Sequence, residues 1–398
     1  MILQQKTYKF RIYPTNTQEK ILNKMFGCSR FVWNFFLNKE KEHYLKNQEQ
    51  TEENRGKNYL SFFDNAKVLT EIKKQEETKF LQEANSQSLQ STLKHLDVAY
   101  KRFFIKKSGY PKFKKKNGKQ SFSIPQNLSI ENGKLYIPKL KDGIKIVEHQ
   151  KLKGRITTST LSKSKTNKYY ISIGVEEDIQ QLPKSNKSIG IDLGIKSFCF
   201  ISDGKEIENP RFFKKQEKKL KLAQKLLNRK KKGSNRRIKQ KLKVARLHKK
   251  VTQQKQDFLQ KLSTKLIHEN QVICLEKLNV KGMLQNHKLS KSIQNCSWSS
   301  FVDMLKYKAK WFGREIVFVD RFFPSSKTCF ECGCINHNLK LEDREWTCLS
   351  CGIVHQRDLN AAKNILKEGL KLFYKSSGTD DNRHGESVRP GEKSGYFQ

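Results

Sequence analysis

IGIDLGIKSF, residues 189–198, decides how the second half of this chain folds. Ile189, Ile191, Leu193 and Ile195 fall on one face of a strand, and Gly190, Asp192, Gly194 and Lys196 on the other. A period of two over an aliphatic layer reads as a β-strand. Asp192 projects from the opposite face, between two residues that carry no side chain. Bare backbone beside a carboxylate leaves room for a metal ion and a phosphate to approach, or simply marks a bulge.

Working outward, two more carboxylates stand out. Glu276 closes the apolar strand VICLE (272–276). A carboxylate ending a buried strand costs desolvation unless a cation or hydrogen-bond donor meets it. Asp358 lies in HQRDLNAAKNI (355–365), at the first turn of a helix whose packing face is Ala361, Ala362 and Ile365. The helix macrodipole alone also favours an acid there. Asp320 ends the strand IVFVD and ranks below the other three. Three carboxylates from two strands and a helix offer hard oxygen ligands suited to Mg²⁺ or Mn²⁺. Two such ions clamp the attacking and leaving oxygens of an in-line phosphodiester displacement. Asp192 would then bridge both ions, and Glu276 and Asp358 would each complete one. Arg357 is a candidate for the scissile phosphate and reads equally well as a surface arginine.

The nine cysteines tell a separate story. Cys329-x2-Cys332 and Cys348-x2-Cys351 stand fifteen residues apart. That spacing is the pattern of a tetrahedral Cys₄ zinc site, with iron as the smaller alternative. Gly333 and Gly352 follow the pairs and let the chain turn back toward the metal. Four thiolates leave no open position, so the zinc is expected to be structural. Cys334, His337 and His355 are spare donors that the site does not need. Cys28, Cys199, Cys274 and Cys296 read as ordinary buried residues. An odd cysteine count with two close pairs suits a reducing, cytoplasmic setting rather than a disulfide framework.

Composition sets the class of partner. The 398 residues carry 81 Lys and Arg against 39 Asp and Glu, a formal charge of +42. So large an excess destabilises a compact chain unless a polyanion meets it, and nucleic acid is the leading candidate. Residues 214–250 hold 18 Lys/Arg and one acid, Glu217. Leu220, Ala223 and Leu227, then Ile238, Leu242 and Ala245, recur at helical spacing, and Gly233-Ser234-Asn235 breaks the run. This reads as a basic helical hairpin with Arg229, Lys230, Lys231, Lys232, Arg236 and Arg237 around its tip. In KKSGYPKFKKKNGK (106–119), Tyr110 and Phe113 interleave with Lys112, Lys114, Lys115 and Lys116, a mixture suited to structured or single-stranded nucleic acid. Asn85, Gln87, Gln90 and Lys94 share the polar side of a helix over 87–104 and could read base edges in a major groove. No apolar run is long enough to span a bilayer, and the first residues lack the apolar core of a secretory signal.

The N-terminal half supplies the remaining elements. Tyr8, Phe10 and Ile12 alternate with Lys9, Arg11 and Tyr13 before Pro14, a half-exposed strand. Helices follow to about residue 107, interrupted by a polar connection over 46–58. From 120 the period changes to two, with turns expected at Asn132-Gly133 and Asp142-Gly143. A small antiparallel barrel, joined by the first strand, fits these segments. Residues 180–188 read as a linker. Beyond 189, strands and helices alternate, and the chain ends in a Gly/Ser/Pro-rich stretch expected to be disordered.

The order IGIDLGIKSF, VICLEKLNVKGM, SSKTCFECG, WTCLSCG, HQRDLNAAKNI resembles the transposon-encoded TnpB (OrfB-type) family. YKFRIYPT (8–15), FGCSRFVWNFFL (26–37), LDVAYKRFF (96–104) and ESVRPGEKSG (386–395) extend the resemblance over nearly the whole chain. These are RNA-guided DNA nucleases related to the type V CRISPR effectors. The resemblance implies a multidomain α/β protein. Its parts would be a wedge-like β-barrel domain (1–14 plus 120–180), a helical recognition domain (15–119), a RuvC/RNase H-like nuclease domain (186–324 plus 353–372), an inserted zinc ribbon (325–352) and a disordered tail (373–398). It also implies a guide RNA from the protein's own locus, a double-stranded DNA target beside a short flanking motif, and action as a monomer on one RNA. The family's catalytic Asp, Glu and Asp fall on Asp192, Glu276 and Asp358. Gln356 departs from relatives that carry Asp there. An unguided nuclease or transposase remains an alternative, as does a nuclease-inactive guided repressor. The presence of all three carboxylates argues against the repressor.

Overall fold

The structure, a computed structural model, describes residues 2–49, 60–340 and 342–376. It divides into two compact units: Met1–Ile179 with Lys231–Arg246, and Gln180–Lys230 with Leu247–Gln398.

In the first unit the opening strand β1 (Ile2–Tyr13) is central. It pairs antiparallel with β7 (Tyr169–Ile179) along nearly its whole length and with β5 (Leu140–Val147) near its end. Flanking strands are β2 (Gln120–Ile124), β3 (Ser129–Glu131), β4 (Lys134–Ile137) and β6 (Arg155–Lys163), in the order β2-β6-β7-β1-β5-β4-β3. The alternation read at the N-terminus holds: Tyr8, Phe10 and Ile12 are buried, against Leu22, Met25 and Phe26 of helix α1 (Asn16–Gln48). Thr15 and Gln18 form the capping box that starts this helix. Helices α2 (Phe62–Ile72) and α3 (Ser86–Phe104), with a 3-10 turn (Glu76–Glu83), pack on the far half of α1 through Val32, Phe36, Leu69, Leu81, Leu89 and Leu93.

Two expectations need correction here. The sheet is open: β2 and β3 each pair with one neighbour, and no pairing among the described residues joins them into a barrel. Strands of five and three residues offer little edge to close with. Asn132-Gly133 makes its turn, with both φ angles positive. Asp142-Gly143, however, lies inside β5, and the turn before it is Pro138-Lys139, with Lys139 at φ 69°. Proline presets that turn. Gly143 serves close strand approach instead, because a Cβ there would stand 2.7 Å from Lys134 Cβ.

The second unit is built on a five-stranded sheet, ordered β10-β9-β8-β11-β12. Strands β8 (Ser188–Leu193), β9 (Ser197–Ile201) and β10 (Glu206–Glu208) form an antiparallel meander, while β8, β11 (Val272–Glu276) and β12 (Glu315–Val319) run parallel. The alternation along β11 sorts its residues to two layers. Ile273 and Leu275 pack with α5 (Asn235–Glu269) and α8 (Trp298–Phe312) through Leu259, Leu266, Phe301 and Leu305. Val272 and Cys274 pack with Ile365 of α9 (Arg357–Ser376). The basic run 212–268 is two helices, α4 (Phe212–Asn228) and α5, broken where Gly233 takes φ 87°. Short helices α6 (Val280–Met283) and α7 (Ser290–Cys296) precede α8. A two-stranded ribbon, β13 (Glu345–Thr347) and β14 (Val354–Gln356), completes the unit. Residues 373–376, expected to begin the tail, form the last turn of α9; 377–398 and most of the 46–58 connection lie outside the described residues. No helix among the described residues is long and apolar enough to cross a membrane.

Candidate active site and metal centre

Asp192 and Glu276 meet because of strand register. Ile191 on β8 pairs with Leu275 on β11, and the two carboxylates are the next residue along each parallel strand. They stand at the carboxyl ends of adjacent strands, where open α/β sheets place their ligand sites. Asp358 arrives from α9, in its first turn. What brings α9 in is Gly190. A Cβ there would lie 2.1 Å from Ala362 O and 2.6 Å from Leu366 N, so the helix backbone rests on the strand. Gly369 plays the same part on β11, where a Cβ would meet Cys274 Sγ at 2.4 Å. The expectation that Gly190 leaves room for a metal and phosphate is therefore corrected: its missing side chain admits the helix that carries Asp358.

The electrostatics follow from this crowding. Burial pushes the Asp192 carboxyl up to about 7, and the neighbouring charges of Asp358 and Glu276 add to the rise. The Arg357 guanidinium opposes it. Burial also raises Glu276 above the usual carboxylate range. Asp358 and Glu276 thus crowd negative charge onto Asp192, and a hard divalent cation would relieve it. Asp320 is exposed and caps a turn by accepting from Phe322 N at 2.9 Å. Gln356 accepts from Leu359 N at 2.9 Å and so caps α9, work that an aspartate at this position would do equally well.

The four paired cysteines converge as their spacing required. Their Sγ atoms all lie within 4.8 Å of one another, with Cys329–Cys351 at 3.7 Å and Cys332–Cys348 at 3.5 Å. Zn–S bonds of about 2.3 Å in a tetrahedron put sulfurs about 3.8 Å apart, so the cluster fits zinc. The two loops are built alike. Gly333 N donates to Cys329 O and Gly352 N to Cys348 O, both at 2.9 Å, and both glycines have positive φ. The backbone N–H groups of Cys351 and Ser350 hold the Cys348 thiol below its ordinary range. His355 is buried with Nε2 3.0 Å from Cys329 Sγ, as a hydrogen-bond partner of that sulfur. Cys28, Cys199, Cys274 and Cys296 are buried, as expected.

Five hydrogen bonds that the sequence reading missed tie the cysteine insert to α9 and its carboxylate. Asn360 Nδ2 and Asn364 Nδ2 both donate to Thr328 O, at 2.7 and 2.6 Å, and Phe330 N donates to Asn360 Oδ1. Arg344, four residues before Cys348, reaches Asp358 Oδ2 with Nη1 at 3.1 Å. Arg357 donates to Lys340 O at 2.9 Å. The asparagines stand at i and i+4 on α9, a spacing that marks one shared face. Nothing in the sequence singles out Arg344.

Comparison with known proteins now decides the family. A Streptomyces pristinaespiralis protein named "Putative RNA-guided DNA endonuclease" is 38% identical over 393 residues, covering 98% of this chain and 95% of its own length. The chain belongs to the TnpB family. An Escherichia coli protein named "Putative RNA-guided DNA endonuclease InsQ" is 31% identical, covering 92% of each chain. Mimivirus proteins named TnpB-like match about half of the chain at 30% identity. Family models described as "Probable transposase" and "Cas12f1-like, TNB domain" match residues 170–287 and 298–365. A third, described as a helix-turn-helix domain, matches 1–49, where this structure has a strand and one long helix. Among solved structures, a Cas12f1–sgRNA–target DNA complex aligns with TM-score 0.53 at 15% identity, over 91% of this chain and 98% of that one, a likeness of fold.

Within this TnpB-family chain the expected nucleic-acid contacts are placed as follows. The 106–119 segment is pinned to α1: Trp33 Nε1 donates to Lys112 O at 3.1 Å, and Asn34 bonds both N and O of Lys114. Lys114, although exposed as a residue, lays its Nζ 3.7 Å from the Trp33 ring centroid, and loss of solvent around that ammonium lowers it to about 8. Lys112, Lys115 and Lys116 are exposed. Arg229, Lys231, Lys232 and Arg236 are exposed around the α4–α5 turn, and Lys230 and Arg237 are half-buried. Asn85 is committed to capping α3, accepting from Gln87 N at 2.9 Å, and Gln87 itself bonds Gln126. Gln90 and Lys94 remain exposed.

Proposed function

We propose that this chain is an RNA-guided, metal-dependent DNA endonuclease carried by a transposable element. It would hydrolyse target DNA at Asp192, Glu276 and Asp358 in the two-metal manner of RuvC-type nucleases. The observation that carries the reading is the setting of Asp192: half-buried, crowded by two carboxylates and poised at the end of a parallel strand. Mg²⁺ or Mn²⁺ held there would activate water and neutralise the leaving oxygen. Asp192 is the central ligand because both neighbouring charges act on it. Glu276 and Asp358 approach from different elements and hold opposite sides of the set. Arg357 stands close enough to Asp192 to influence its charge and serves a phosphate of the bound strand.

The rest of the chain supplies recognition. Guide–target pairing reads sequence, and the protein binds heteroduplex shape and a short flanking motif. Helices within 15–119, the strands of 1–14 and 120–180, and the exposed lysines at 112, 115 and 116 form the recognition half. The nuclease half is 186–324 with 353–372. The cysteine insert, 325–352, binds structural zinc and braces α9. The exposed cations around the α4–α5 turn track the RNA backbone. The protein acts as a monomer on one RNA.

The test is to sequence the RNA that copurifies with the protein expressed from its own locus, then to assay cleavage with that RNA. One abundant species with a fixed scaffold and a variable end is expected. A smear of host RNA, at salt that strips nonspecific binding, overturns guidance. Asp192→Ala should keep RNA and DNA binding and lose roughly 10³-fold or more in cleavage rate. Unchanged cleavage removes the site.

A further inference from the structure

Beside Glu276 the second unit has a half-open cleft of about 510 Å³. Its walls come from the end of β8, the residues after β11, helix α8 and strand β12. That volume is within the roughly 300–1,000 Å³ of small-ligand sites, and such sites combine apolar walls with a few convergent polar groups. Here Leu193, Leu278, Val302 and Phe318 supply the apolar walls. Glu276 belongs both to the cavity and to the carboxylate set, so an occupant sits one side chain away from the proposed chemistry.

The polar groups are unspent. Asp303, exposed on α8, has no hydrogen-bond or ion-pair partner among the described residues. Lys277 and Lys306 are exposed at the rim, and Lys306 Nζ lies 4.8 Å from the Phe318 ring centroid. Trp298 lines the wall at 2% exposure, and its Nε1 has no acceptor among the described residues. A buried donor left without an acceptor is uncommon in native proteins and marks a place where a partner is missing. An aliphatic ligand would leave Glu276, Asp303, Asp320 and the lysines unused.

We propose that this cavity receives one unstacked base of the strand being cut. The base lies among the apolar walls and over Phe318, and Lys277 and Lys306 meet the flanking phosphates. Enzymes that act at one point of a nucleic acid commonly seat an unstacked base in a shaped, partly aromatic pocket. The seated base fixes which phosphate reaches Glu276. Asp303 is an acceptor only, so it favours bases with an exocyclic amine, cytosine, adenine and guanine, over thymine, whose single donor is N3–H. The inference rests on the nuclease reading in naming the ligand as the substrate strand.

The test reads binding apart from cleavage. The full chain with its copurified RNA is held in chelator and irradiated with single-stranded DNA carrying one 5-iodocytosine, moved stepwise along the strand. Cross-links are mapped by peptide mass spectrometry. One position should cross-link to Trp298 or Phe318, and deoxycytidine 5′-monophosphate should compete at least about threefold better than thymidine 5′-monophosphate. Asp303→Asn, a surface change that leaves the fold intact, should erase that difference. Equal cross-linking at every position, or adducts only on other elements, overturns the pocket. With metal restored, an abasic residue at the cross-linking position should slow cleavage about tenfold and abasic residues elsewhere should not. Position-specific adducts in a chain that cuts no DNA would uphold the pocket and sink the nuclease reading, so the two fail separately.

Discussion

The second unit holds four convergent cysteines and a group of three carboxylates, assembled in opposite ways. The four cysteines come from one short insert, and two near-identical loops bring them together. The three carboxylates come from two strands and a distant helix, and they meet only because β8 pairs with β11 and α9 lies on the sheet at Gly190. The cysteine cluster is local and needs little from the fold. The carboxylate cluster is a product of the fold and carries its electrostatic cost, as the raised Asp192 shows. The two are nonetheless joined, because Asn360 and Asn364 bond the first cysteine loop to the helix that carries Asp358 in its first turn.

The largest expected effect tests that join. Folding free energies of structural zinc sites are on the order of 10 kcal/mol, so losing the metal should unfold the insert. Paired Cys348→Ser and Cys351→Ser substitutions should abolish zinc in elemental analysis and expose Trp346, which packs on His355 in the cysteine core. If the comparison is right, protection of amides in the first turns of α9 also falls, since Thr328 O loses its fixed place. Full protection in α9 without zinc would mean that the two clusters are independent.

A second prediction concerns the cost of the carboxylate cluster. Asp192 keeps its proton in the folded chain up to about pH 7, while the unfolded chain releases it near 4. Between those values the folded state binds more protons, so the metal-free chain loses stability as pH rises through that window. The upper bound is on the order of 4 kcal/mol, at about 1.4 kcal/mol per unit. Denaturant unfolding in chelator at pH 5 and pH 8 should show the loss, and Asp192→Asn should flatten it. A wild-type profile as flat as the variant's would mean that the cluster is not strained.

How much of this was legible follows from the same contrast. The cysteine cluster could be read from spacing because a close thiolate pair and a following glycine dictate a loop by themselves. Asp192, Glu276 and Asp358 were legible one by one, as polar ends of apolar patterns. Their meeting was legible only as the chemistry three carboxylates suit and as what the resemblance implies, because the register and helix docking behind it are long-range properties. Gly190 shows the limit clearly. A glycine beside a carboxylate looked like space for a ligand, and only the tertiary fold reveals the helix that fills it. The barrel failed for a related reason: alternation identifies strands, but closure depends on edges that pair across the whole sheet. Asp142-Gly143 failed because a turn dipeptide inside a strand looks the same as one between strands until Pro138 is seen to make the turn.

Gly190→Ala sharpens the point with a smaller effect. Its Cβ would press on backbone atoms of Ala362 and Leu366, which cannot rotate away. Overpacking of this kind costs about 1–3 kcal/mol, and displacing Asp358 by about 1 Å should lower cleavage about 10²-fold. Thermal unfolding and single-turnover cleavage measure the two effects. Binding of RNA should be unchanged, since the carboxylates are altered in position and not in charge. An alanine variant with wild-type cleavage would show that α9 does not need Gly190 to present Asp358.

The smallest effect lies in the first unit, where sequence could see a basic cluster but not its internal division. Lys112, Lys114, Lys115 and Lys116 look equivalent in the chain. In the fold all four are exposed, but only Lys114 lays its ammonium over Trp33. A lysine on a phosphate releases counterions, so its loss should reduce the slope of log binding constant against log salt by roughly 0.7–0.9. Alanine at 112, 115 or 116 should therefore lower the slope of RNA binding by about that amount, with little change in melting temperature. Lys114→Ala should do the reverse, leaving the slope in place and loosening the 106–119 segment on α1. Equal slopes for all four variants would mean that the contact of Lys114 with Trp33 does not survive in the presence of RNA. The cluster would then be one surface, as local as the cysteine site and as fully readable from its residues.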